Sequence, residues 1–377
     1  MLVTGSDDRA RYVMIGGFLG AGKTTAVDRL ARMLADRGLV VGLITNDQST
    51  GLVDTALLRS HGFEVEEIAG GCFCCRFDSL QEAAGRLSAA TRPDVFLAEP
   101  VGSCTDLVAT VSYPLRRIYG DRFVVAPLSV VVDPKRAARI LGLVQGRSFS
   151  DKVVYVYRKQ LEEADLIVVN KCDAIEPKLQ ESLVAALCIE FPRAEVVCAS
   201  AKEGDGLEPW LQRLLSTEGA FAPTMTVDYD TYAEGEARLG WLNATWRLSP
   251  EAPFDANAFL LRVTEALRAR LAADGAEIGH LKMTLDPGGA AGLIAVISVV
   301  DSESEPDLHE SLVDMADSAT LIVNLRAEAD PHRLSALVEE VFGAENVAGI
   351  AMRREHEETL RPARPVPTHR VTVEDNG

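Results

Sequence analysis

The residues at positions 17–24 read GFLGAGKT, with glycine, lysine and threonine spaced as G-x-x-x-x-G-K-T. This segment follows an apolar run at 12–16 and precedes a stretch of helical periodicity at 23–37. Glycines let such a loop curve tightly, so that successive backbone N–H groups point at the same anion. A strand, this loop and a helix in that order predict a phosphate-binding loop within a parallel α/β sheet.

The same alternation of apolar runs and helical stretches continues to residue 216. Apolar runs that do not alternate with polar residues indicate parallel strands that are buried on both faces. We therefore predict a doubly wound, mostly parallel α/β domain over residues 10–216. The predicted strands are 12–16, 39–45, 63–68, 94–99, 128–133, 165–170 and 194–199. The predicted helices are 23–37, 54–61, 79–91, 105–118, 134–142, 151–163, 178–191 and 207–216.

The rest of the chain has a different pattern. Residues 217–239 lack periodicity, which predicts a linker. Residues 240–350 are expected to form a smaller ferredoxin-like α+β domain, because their elements follow a βαββαβ order with one helix added. Residues 355–377 are polar and rich in proline, which predicts a disordered tail. The strands predicted here are 240–248, 278–285, 292–300 and 319–326, and the helices are 255–272, 307–316 and 331–343.

Composition excludes two classes of partner. The chain has 38 basic and 56 acidic residues and a formal net charge of −18, whereas nucleic-acid phosphates require a basic surface, so we expect no nucleic-acid partner. No apolar stretch approaches the roughly 20 residues of a membrane-spanning helix, and the acidic N-terminal segment is unlike a secretion signal. We therefore expect a cytoplasmic protein without a membrane partner, in which the seven cysteines stay reduced.

The phosphate-binding loop offers side chains for triphosphate chemistry. Lys23 should reach the β- and γ-phosphates as a catalytic cation, and the Thr24 hydroxyl should bind Mg²⁺. Thr25 is expected to bond the α-phosphate, and the helix that starts at 23 adds positive potential at its N-terminus. The remaining positions that should line the phosphates are Gly17, Gly20, Ala21 and Gly22.

The predicted strand 165–170 ends in the sequence N-K-C-D, which indicates the base of the nucleotide. The Asp173 carboxylate can accept hydrogen bonds from N1–H and the 2-amino group of guanine, whereas adenine offers neither donor. Asn170 can bond the other edge of the base, and the stem of Lys171 can cover its ring. After the next strand, backbone N–H groups near guanine O6 are expected from Ser200, Ala201 and Lys202. Together these segments predict GTP rather than ATP.

Two further segments belong to the same predicted sheet edge. Glu99 ends the strand 94–99 and is expected to hold a Mg²⁺-bound or attacking water. Gly102 follows closely, and its N–H is expected to turn toward the γ-phosphate. The polar loop 45–54 is a candidate switch that senses the nucleotide. We group Glu99 and Gly102 with Lys23 as catalytic candidates.

Three cysteines lie within four residues in the sequence G-G-C-F-C-C at 70–75. Thiolates are strong ligands for Zn²⁺ and similar ions, so Cys72, Cys74 and Cys75 form a candidate metal site. Three ligands leave one coordination position open, which favours exchange of the ion. The alternatives are small buried hydrophobic side chains or a redox site. By the same standard we interpret the other cysteines as structural: Cys104, Cys172, Cys188 and Cys198.

On these motifs the sequence resembles the CobW-like GTPases, the metallochaperone and metal-insertase branch of the SIMIBI-class P-loop proteins. The segments that carry the resemblance are GGFLGAGKTT (16–25), the 46–54 loop, GGCFCC (70–75), EPVG (99–102), KQLEEADLIVVNKCD (159–173) and SAKEG (200–204). The resemblance implies a GTPase domain followed by a smaller C-terminal α/β domain. It also implies that the three cysteines bind a transition metal, Zn²⁺ or cobalt, and that the GTP state controls delivery to a client protein or cofactor pathway.

The resemblance adds two acidic residues to the expected site. Asp54 falls where the family has an aspartate, and we assign it to Mg²⁺ together with Thr24 and Glu99. The family loop reads Asn-Glu-Phe-Gly, whereas this chain has N-D-Q-S at 46–49, so Asp47 is a shorter candidate ligand for the transition metal. No arginine finger or catalytic glutamine is evident, which predicts slow GTP hydrolysis unless a client, a homodimer or a metal accelerates it.

Two alternative functions remain open from the sequence. A P-loop small-molecule kinase or ligase with structural cysteines would form its nucleotide product only with a phosphoryl acceptor. A GTP-switch scaffold would use the C-terminal domain to dock a partner without moving a metal. The guanine motifs disfavour the kinase, whereas metal binding separates the metallochaperone from the scaffold.

Overall fold

The computed structural model describes residues 9–46, 58–59, 61–219, 224–288, 293–347 and 349–371. These residues form two β-sheets, one parallel and N-terminal, the other antiparallel and C-terminal. The predicted switch loop lies outside the described residues beyond Asn46, and with it the predicted sites Asp47 and Asp54. The predicted helix 54–61 also lies mostly outside them.

The N-terminal sheet contains eight parallel strands. Its order is β3-β2-β4-β1-β6-β7-β8, and the short β5 pairs with the first residues of β1, while β6 pairs with the last. Central strands such as β4 and β7 are buried along their whole length, as expected for strands covered by helices on both faces. The strands are β1 Ala10–Gly17, β2 Val41–Asn46, β3 Val65–Ile68, β4 Val95–Glu99, β5 Phe123–Val125, β6 Ser129–Val132, β7 Leu166–Val169 and β8 Glu195–Cys198.

Helices connect these strands and pack on both faces of the sheet, giving two apolar cores. The helices are α1 Lys23–Ala35, α2 Phe77–Ala90, α3 Tyr113–Tyr119, α4 Pro134–Ile140, α5 Asp151–Glu162, α6 Pro177–Glu190, α7 Leu207–Ser216 and α8 Tyr229–Arg238. A π-helical turn, Val108–Ser112, precedes α3, and a 3₁₀ turn, Cys172–Ala174, follows β7. The predicted doubly wound sheet is confirmed, although the sequence pattern missed β5.

The C-terminal sheet has six strands, all antiparallel to their neighbours, in the order β12-β11-β10-β13-β9-β14. The units β9-α9-β10 and β13-α10-β14 each leave room for one strand between their two strands, which is the ferredoxin-like arrangement. The elements are β9 Gly240–Pro250, α9 Ala256–Ala273, β10 Ile278–Asp286, β11 Ala295–Val299, β12 Asp307–Glu310, β13 Ala319–Ala327, α10 Pro331–Val347 and β14 Ile350–Leu360. The predicted ferredoxin-like domain is therefore confirmed in its architecture.

Two predicted elements of this domain are wrong. The helix predicted at 307–316 is absent, because residues 307–310 form β12 and pair with β11 at the edge of the sheet. The disorder predicted from 355 is also wrong for the described residues, since β14 pairs with β9 along its full length. Consequently α10 is the second helix of the ferredoxin-like motif and not an addition to it.

The segment 217–239, predicted to be a linker, contains the helix α8. Its sequence is polar, but Tyr232 and Glu236 are buried against the N-terminal domain. Gly235 permits a close approach to α5, because a Cβ there would collide with the carbonyl oxygen of Lys152. None of the helices described is long and apolar enough to cross a membrane.

Candidate nucleotide and metal site

The phosphate-binding loop connects β1 to α1 at the carboxyl edge of the parallel sheet. Gly17 has φ +130°, and a Cβ at this position would collide with Val131 O of the neighbouring strand. Gly22 has φ +88° and immediately precedes α1. Only glycine adopts both conformations without strain, so the two glycines fix the curvature of the loop.

The side chains of Lys23, Thr24 and Glu99 lie close together beside this loop. The Thr24 hydroxyl donates a hydrogen bond to Glu99 Oε1 over 3.1 Å, and Lys23 Nζ lies 4.0 Å from the same oxygen. Lys23 Nζ also donates to Phe18 O at 3.3 Å. Because a hydroxyl and a carboxylate oxygen are ligands that Mg²⁺ accepts, the pair is chemically suited to that ion. Thr25 is exposed on the first turn of α1.

Gly102 packs directly against the phosphate-binding loop. A Cβ on Gly102 would lie 2.8 Å from Leu19 Cδ2 and 3.1 Å from Leu19 N, so a larger residue would displace the loop. From the other side, Gln160 of α5 donates through Nε2 to Gly102 O (3.0 Å) and Cys104 O (2.8 Å). Residues 99–104 are thus fixed between the phosphate-binding loop and α5.

Asn170 joins the predicted base-recognition segments to the phosphate-binding loop. Its Nδ2 donates to Ala21 O, and its Oδ1 accepts from Ala201 N–H, both over 2.9 Å. Lys171, in the left-handed region with φ +56°, donates through Nζ to Gly20 O (2.8 Å) and Asp133 Oδ2 (2.9 Å). In the structure the polar ends of both residues position the loop, and the predicted contacts of Asn170 and of the Lys171 stem with the base stay predictions.

The remaining base-recognition residues differ in exposure. Asp173 is exposed, so its carboxylate is accessible to a ligand at this edge. The amides of Ser200 and Ala201 donate to Asp205 O and to Asn170 Oδ1. Lys202 Nζ reaches the C-terminal domain and pairs with Asp307 of β12 at 3.2 Å.

Cys72, Cys74 and Cys75 lie on the loop between β3 and α2, and their sulfur atoms converge. The Sγ–Sγ distances are 2.7 Å for Cys72–Cys74, 3.3 Å for Cys72–Cys75 and 3.6 Å for Cys74–Cys75. Cys72 and Cys74 are buried, and Cys75 is partly exposed. Among the described residues they are the one set of at least three His, Cys, Asp or Glu residues whose ligand atoms all lie within 4.8 Å of each other.

The three thiols of this loop differ in pKa. Hydrogen bonds from Cys104, Cys74 and Cys75 hold the pKa of the Cys72 thiol well below its usual range. The bond to Cys72 raises the pKa of Cys74 and raises that of Cys75 to about 11. Cys72 is therefore the first thiol to become a thiolate, which is the form that binds metals.

Asn46 links this thiol loop to the strand that leads into the predicted switch. Its Nδ2 donates to Ile68 O (2.9 Å) and to Gly71 O (2.7 Å). Within the loop, Cys72 O accepts from the amides of Cys75 and Arg76, which closes a turn around the sulfurs. The loop conformation is thus tied to the end of β2, two strands away from the phosphate-binding loop.

The C-terminal segment 361–371, which we call the strap, covers the thiol loop. Val366 N–H donates to Cys75 Sγ at 3.3 Å, and Thr368 N–H donates to Cys74 O at 2.9 Å. Farther along, Arg370 pairs with the buried Asp106 at 2.7 Å. Sequence reasoning missed the strap, because it is proline-rich and has no periodicity that would predict a contact 291 residues away.

Helix α8 contributes a second set of residues that sequence reasoning missed. The Glu236 carboxylate accepts a hydrogen bond from the Ser103 hydroxyl (2.6 Å), and the Tyr232 hydroxyl accepts from Thr105 N–H (3.2 Å). Burial and the nearby Cys72 raise the pKa of Glu236. Both contacts fix the chain on either side of Cys104, beside the thiol cluster.

The C-terminal domain contacts the phosphate-binding loop through Arg136. This buried guanidinium donates to Leu19 O of the loop and to three carbonyl oxygens of the other domain, those of Ile278 (3.0 Å), Gly279 (3.2 Å) and Val300. It also lies over the rings of Phe18 and Phe149. One side chain therefore connects the loop, its flanking aromatic residues and the second domain.

With this geometry in place, the comparison with known proteins gives a family. Residues 11–197 match the family described as CobW/HypB/UreG, nucleotide-binding domain. Residues 11–197 therefore form a nucleotide-binding domain of this family. The family match includes the phosphate-binding loop, the thiol loop, residues 99–104 and the N-K-C-D segment, whereas the S-A-K segment lies just beyond it.

Curated relatives agree with the family. The zinc chaperone YeiR of Escherichia coli is 30% identical over 46% of this chain and 50% of its own length. The zinc chaperone CobW of Sinorhizobium sp is 32% identical over 43% of this chain and 51% of its own length. The chain thus matches about half the length of these relatives. A probable GTPase of Mycobacterium tuberculosis is 26% identical over 70% of this chain and 76% of its own length.

Solved structures give weaker similarity. The zinc-bound YjiA GTPase of Escherichia coli is 16% identical, covering 88% of this chain and 99% of that chain with a TM-score of 0.38. The hydrogenase maturation factor HypB of Archaeoglobus fulgidus is 23% identical, covering 54% of this chain and 88% of that chain, also with a TM-score of 0.38. At these scores the similarity carries no functional conclusion.

Proposed function

We propose that this protein is a GTP-hydrolysing metallochaperone, which binds a transition metal at Cys72, Cys74 and Cys75 and delivers it to a client protein or cofactor pathway. The observation that carries the proposal is the convergence of three thiols within 3.6 Å, on a loop that Asn46 ties to the nucleotide-binding sheet. The named relatives are zinc chaperones, which supports the same function.

The nucleotide part of the proposal assigns one role to each group. Lys23 neutralises charge on the β- and γ-phosphates, while Thr24, Glu99 and Asp54 bind Mg²⁺ directly or through water. Asp173 accepts from the N1–H and 2-amino donors of guanine, and the stem of Lys171 covers the ring. The Asn170 contacts with Ala21 and Ala201 support this arrangement, because they hold the phosphate and base segments at a fixed separation.

The metal part rests on the chemistry of the donor set. Three convergent sulfurs suit Zn²⁺ or Co²⁺, and thiolates do not suit hard ions such as Mg²⁺. Asp47 remains a further candidate ligand from the sequence. The arrangement disfavours a small-molecule kinase with structural cysteines, since three convergent thiols, one of them partly exposed, are not a feature of ordinary apolar packing.

Two parts of the chain connect the proposed nucleotide site with the proposed metal site. Residues 99–104 run from the Mg²⁺ candidate Glu99 to the vicinity of Cys72, and Asn46 joins the thiol loop to the start of the predicted switch. A rearrangement around the γ-phosphate would therefore change the geometry of the thiol loop. We infer that GTP favours the metal-retaining state and that hydrolysis favours release.

The proposed cellular location and partners follow from the chemistry of the thiols and the nucleotide site. Free thiols stay reduced in the cytoplasm, which is where we place the protein. GTP hydrolysis should be slow until a client, a homodimer contact or bound metal completes the site. Rapid turnover by the metal-free monomer would contradict this part of the proposal.

The proposal is tested by titrating Zn²⁺ into the purified full chain and into the variant Cys72→Ser/Cys74→Ser/Cys75→Ser. Cys188→Ser is the matched control, because Cys188 is exposed on α6 and away from the cluster. The wild type and the control should bind one zinc with equal affinity, whereas the triple variant should lose this site. Equal zinc binding by the triple variant would rule out the metallochaperone site.

A further inference from the structure

The strap contacts the thiol loop through its backbone and one hydroxyl group. The amides of Val366 and Thr368 donate to Cys75 Sγ and Cys74 O, and the Thr368 hydroxyl donates to Cys75 O at 3.3 Å. Val366 lies between two prolines, and the residue before a proline favours extended backbone. An extended segment that binds through its main-chain amides is one way in which proteins recognise peptides. The strap therefore contacts the thiol loop as a bound peptide would.

The buried carboxylate of Asp106 is a further point of contact for the strap. Asp106 is 1% exposed, and its Oδ2 accepts from Arg370 Nε and from the Tyr229 hydroxyl, each over 2.7 Å. The other carboxylate oxygen, Oδ1, is buried and has no hydrogen-bond partner among the residues that the structure describes. A buried polar atom without a partner is unfavourable, so the strap satisfies this carboxylate only in part.

The position of Arg370 explains why one oxygen is left over. Its Nη2 donates to Met225 O at 3.2 Å, whereas its Nε bonds to Asp106. A guanidinium can instead bind both oxygens of a carboxylate through two parallel N–H···O bonds, which is the stronger geometry. An arginine that approached Asp106 in this way would also occupy Oδ1. A second segment with an arginine can therefore replace the strap at this point.

We propose that the strap occupies the surface on which the client protein docks, and that the client binds there through an extended segment that presents an arginine to Asp106. We call this surface the strap surface; it consists of Cys74 O, Cys75 and Asp106. The inference rests on the proposed function and identifies the chemistry of the partner at the same site. Strap and client compete for the same groups, so Cys75 is uncovered only when a client takes the place of the strap.

The buried carboxylate determines which client segment fits. Without the strap, Asp106 keeps the Tyr229 hydroxyl but loses the guanidinium beside it. An uncompensated buried charge is strongly destabilising, so a neutral segment is a poor substitute for the strap. Arginine suits the position better than lysine, because its planar fork matches both oxygens. The formal net charge of −18 also attracts basic segments to the protein.

The strap surface is fixed by residues outside the strap. Thr105 and Val108 flank Asp106, and both donate to the buried Glu163 carboxylate, at 3.2 and 2.9 Å. Asn46 holds the thiol loop through hydrogen bonds to two of its carbonyl oxygens. A surface that is already ordered loses little conformational entropy when a partner binds. The strap can therefore be exchanged for a client segment without a rearrangement of the surface itself.

The first test measures binding of a fluorescent peptide with the sequence of residues 361–371 to the metal-free full chain under reducing conditions. The variant Arg370→Ala loosens the strap but keeps Asp106. The peptide should bind this variant about tenfold more tightly than the wild type, whose own strap competes at a high effective concentration. No binding to Arg370→Ala at about 1 mM peptide, the range of that effective concentration, would overturn the inference.

Two variant peptides of equal net charge test the arginine. The peptide with Arg370→Ala should bind the loosened chain about tenfold more weakly, because the charge-assisted bonds to Asp106 are lost. The peptide with Arg364→Ala should bind like the unchanged peptide, since Arg364 pairs with the exposed Asp230. Equal affinity of these two peptides would overturn the inference.

The variant Asp106→Asn removes the charge and keeps the shape. Asparagine tolerates the φ of +66° at this position, so the backbone is preserved. The preference for the arginine peptide should disappear, and a retained preference would contradict the assignment of the surface. The matched control is Arg353→Ala, which breaks an exposed ion pair with Glu355 on β14 and should behave like the wild type. Thermal unfolding checks each variant, and Arg370→Gln replaces Arg370→Ala if the latter does not fold.

The second test measures zinc release from the loaded chain to a chromophoric chelator. Arg370→Ala and Asp106→Asn should release zinc about tenfold faster than the wild type and Arg353→Ala, because the strap opens more often. The unchanged peptide should also accelerate release from the wild type, whereas the Arg370→Ala peptide should not. Equal release rates in all cases would show that the strap does not control access to the thiols, and would overturn the inference.

The outcomes separate this inference from the proposed function. If the wild type binds no zinc, the metallochaperone proposal fails, whereas peptide binding to the metal-free chain still shows whether the strap surface accepts an arginine segment. If zinc binds at the three thiols but the peptides do not discriminate, the proposed function stands and the docking surface is wrong.

Discussion

The phosphate-binding loop and the thiol loop are both glycine-led turns that follow parallel strands at one edge of the same sheet, but they are stabilised differently. The phosphate-binding loop takes its shape from its own glycines, and Asn170, Lys171 and Arg136 then hold its carbonyl groups. The thiol loop depends on Asn46 and on the C-terminal strap. A local motif can therefore specify the first loop, whereas the second requires distant parts of the chain.

This difference implies that different substitutions can impair nucleotide binding and metal binding independently. Among the described residues, Asn170, Lys171 and Arg136 form no hydrogen bond with the three thiols. The strap, in turn, makes none with the phosphate-binding loop. The segment 99–104 and Asn46 form the structural connections between the two loops. Substitutions at the separate anchors should affect one function alone.

The largest effect is expected from Lys23→Ala. GTP hydrolysis should fall about a hundredfold or more, because a charge aimed at the transferring phosphate is lost. Zinc affinity of the nucleotide-free protein should be unchanged, since Lys23 lies at the start of α1 and donates to Phe18 O of the phosphate-binding loop. Phosphate release and zinc titration are the measurements, with Lys178→Ala on the exposed face of α6 as the control. Loss of zinc binding in Lys23→Ala would show that the two loops are not separable.

The next largest effect concerns the link between the phosphate-binding loop and the second domain. Arg136→Met leaves the carbonyls of Leu19, Ile278, Gly279 and Val300 without their shared donor. We expect the free energy of unfolding to fall by about 3 kcal/mol, as for other buried charged hydrogen-bond networks. Urea unfolding measures this loss.

Arg213→Met provides the control for Arg136→Met. Arg213 pairs with Glu195 on the surface, and exposed ion pairs contribute about 0–1 kcal/mol. Nucleotide affinity should also fall in Arg136→Met but not in Arg213→Met, because Leu19 belongs to the phosphate-binding loop. Equal unfolding free energies for the two variants would mean that Arg136 does not connect the domains energetically.

A smaller effect is expected from Asp173→Ala. Its affinity for GTP should fall roughly tenfold to a hundredfold, because hydrogen bonds to a charged acceptor contribute about 1.5–3 kcal/mol. ATP affinity serves as the internal control and should not change, and zinc binding should also be retained. Competition binding with both nucleotides measures the preference. A wild-type protein that binds ATP as tightly as GTP would refute the assignment of guanine recognition to Asp173.

The smallest effect is expected at the strap. Val366→Pro removes the N–H that donates to Cys75 Sγ, whereas Val366→Ala keeps it. Loss of one hydrogen bond of about 0.5–1.5 kcal/mol should weaken zinc affinity only several-fold, with GTP affinity unchanged. Zinc competition titrations of both variants measure the difference. Identical zinc affinities would indicate that the strap covers the thiols without stabilising them.

The parts predicted from sequence are those encoded within short segments. Most strands of the parallel sheet, the phosphate-binding loop and the proximity of the three thiols depend on neighbouring residues, so apolar runs and spacing are sufficient to predict them. The contacts that hold the thiol loop in place are not predictable in this way. The convergence of Cys72, Cys74 and Cys75 followed from two glycines and four consecutive positions. Asp47 and Asp54 stay predictions, because they lie outside the described residues.

The parts that were missed depend on distant contacts. The strand β14 carries many charged residues on an exposed sheet edge, where charges prevent unwanted pairing, and this composition resembles that of a disordered tail. Residues 307–316 have helical spacing, yet pairing with β11 makes their first part a strand. The strap has no sequence periodicity that predicts its position, because the backbone amides of Val366 and Thr368 form its hydrogen bonds to the thiol loop.

Control of metal affinity by the nucleotide state is tested most directly by one titration. Zn²⁺ affinity of the full chain is measured by chelator competition in the presence of Mg²⁺ with GTPγS and then with GDP. We predict tighter binding with GTPγS by about tenfold, within the range of typical coupling energies between two sites. Equal zinc affinity with both nucleotides would contradict the claim, even if metal and GTP each bind well.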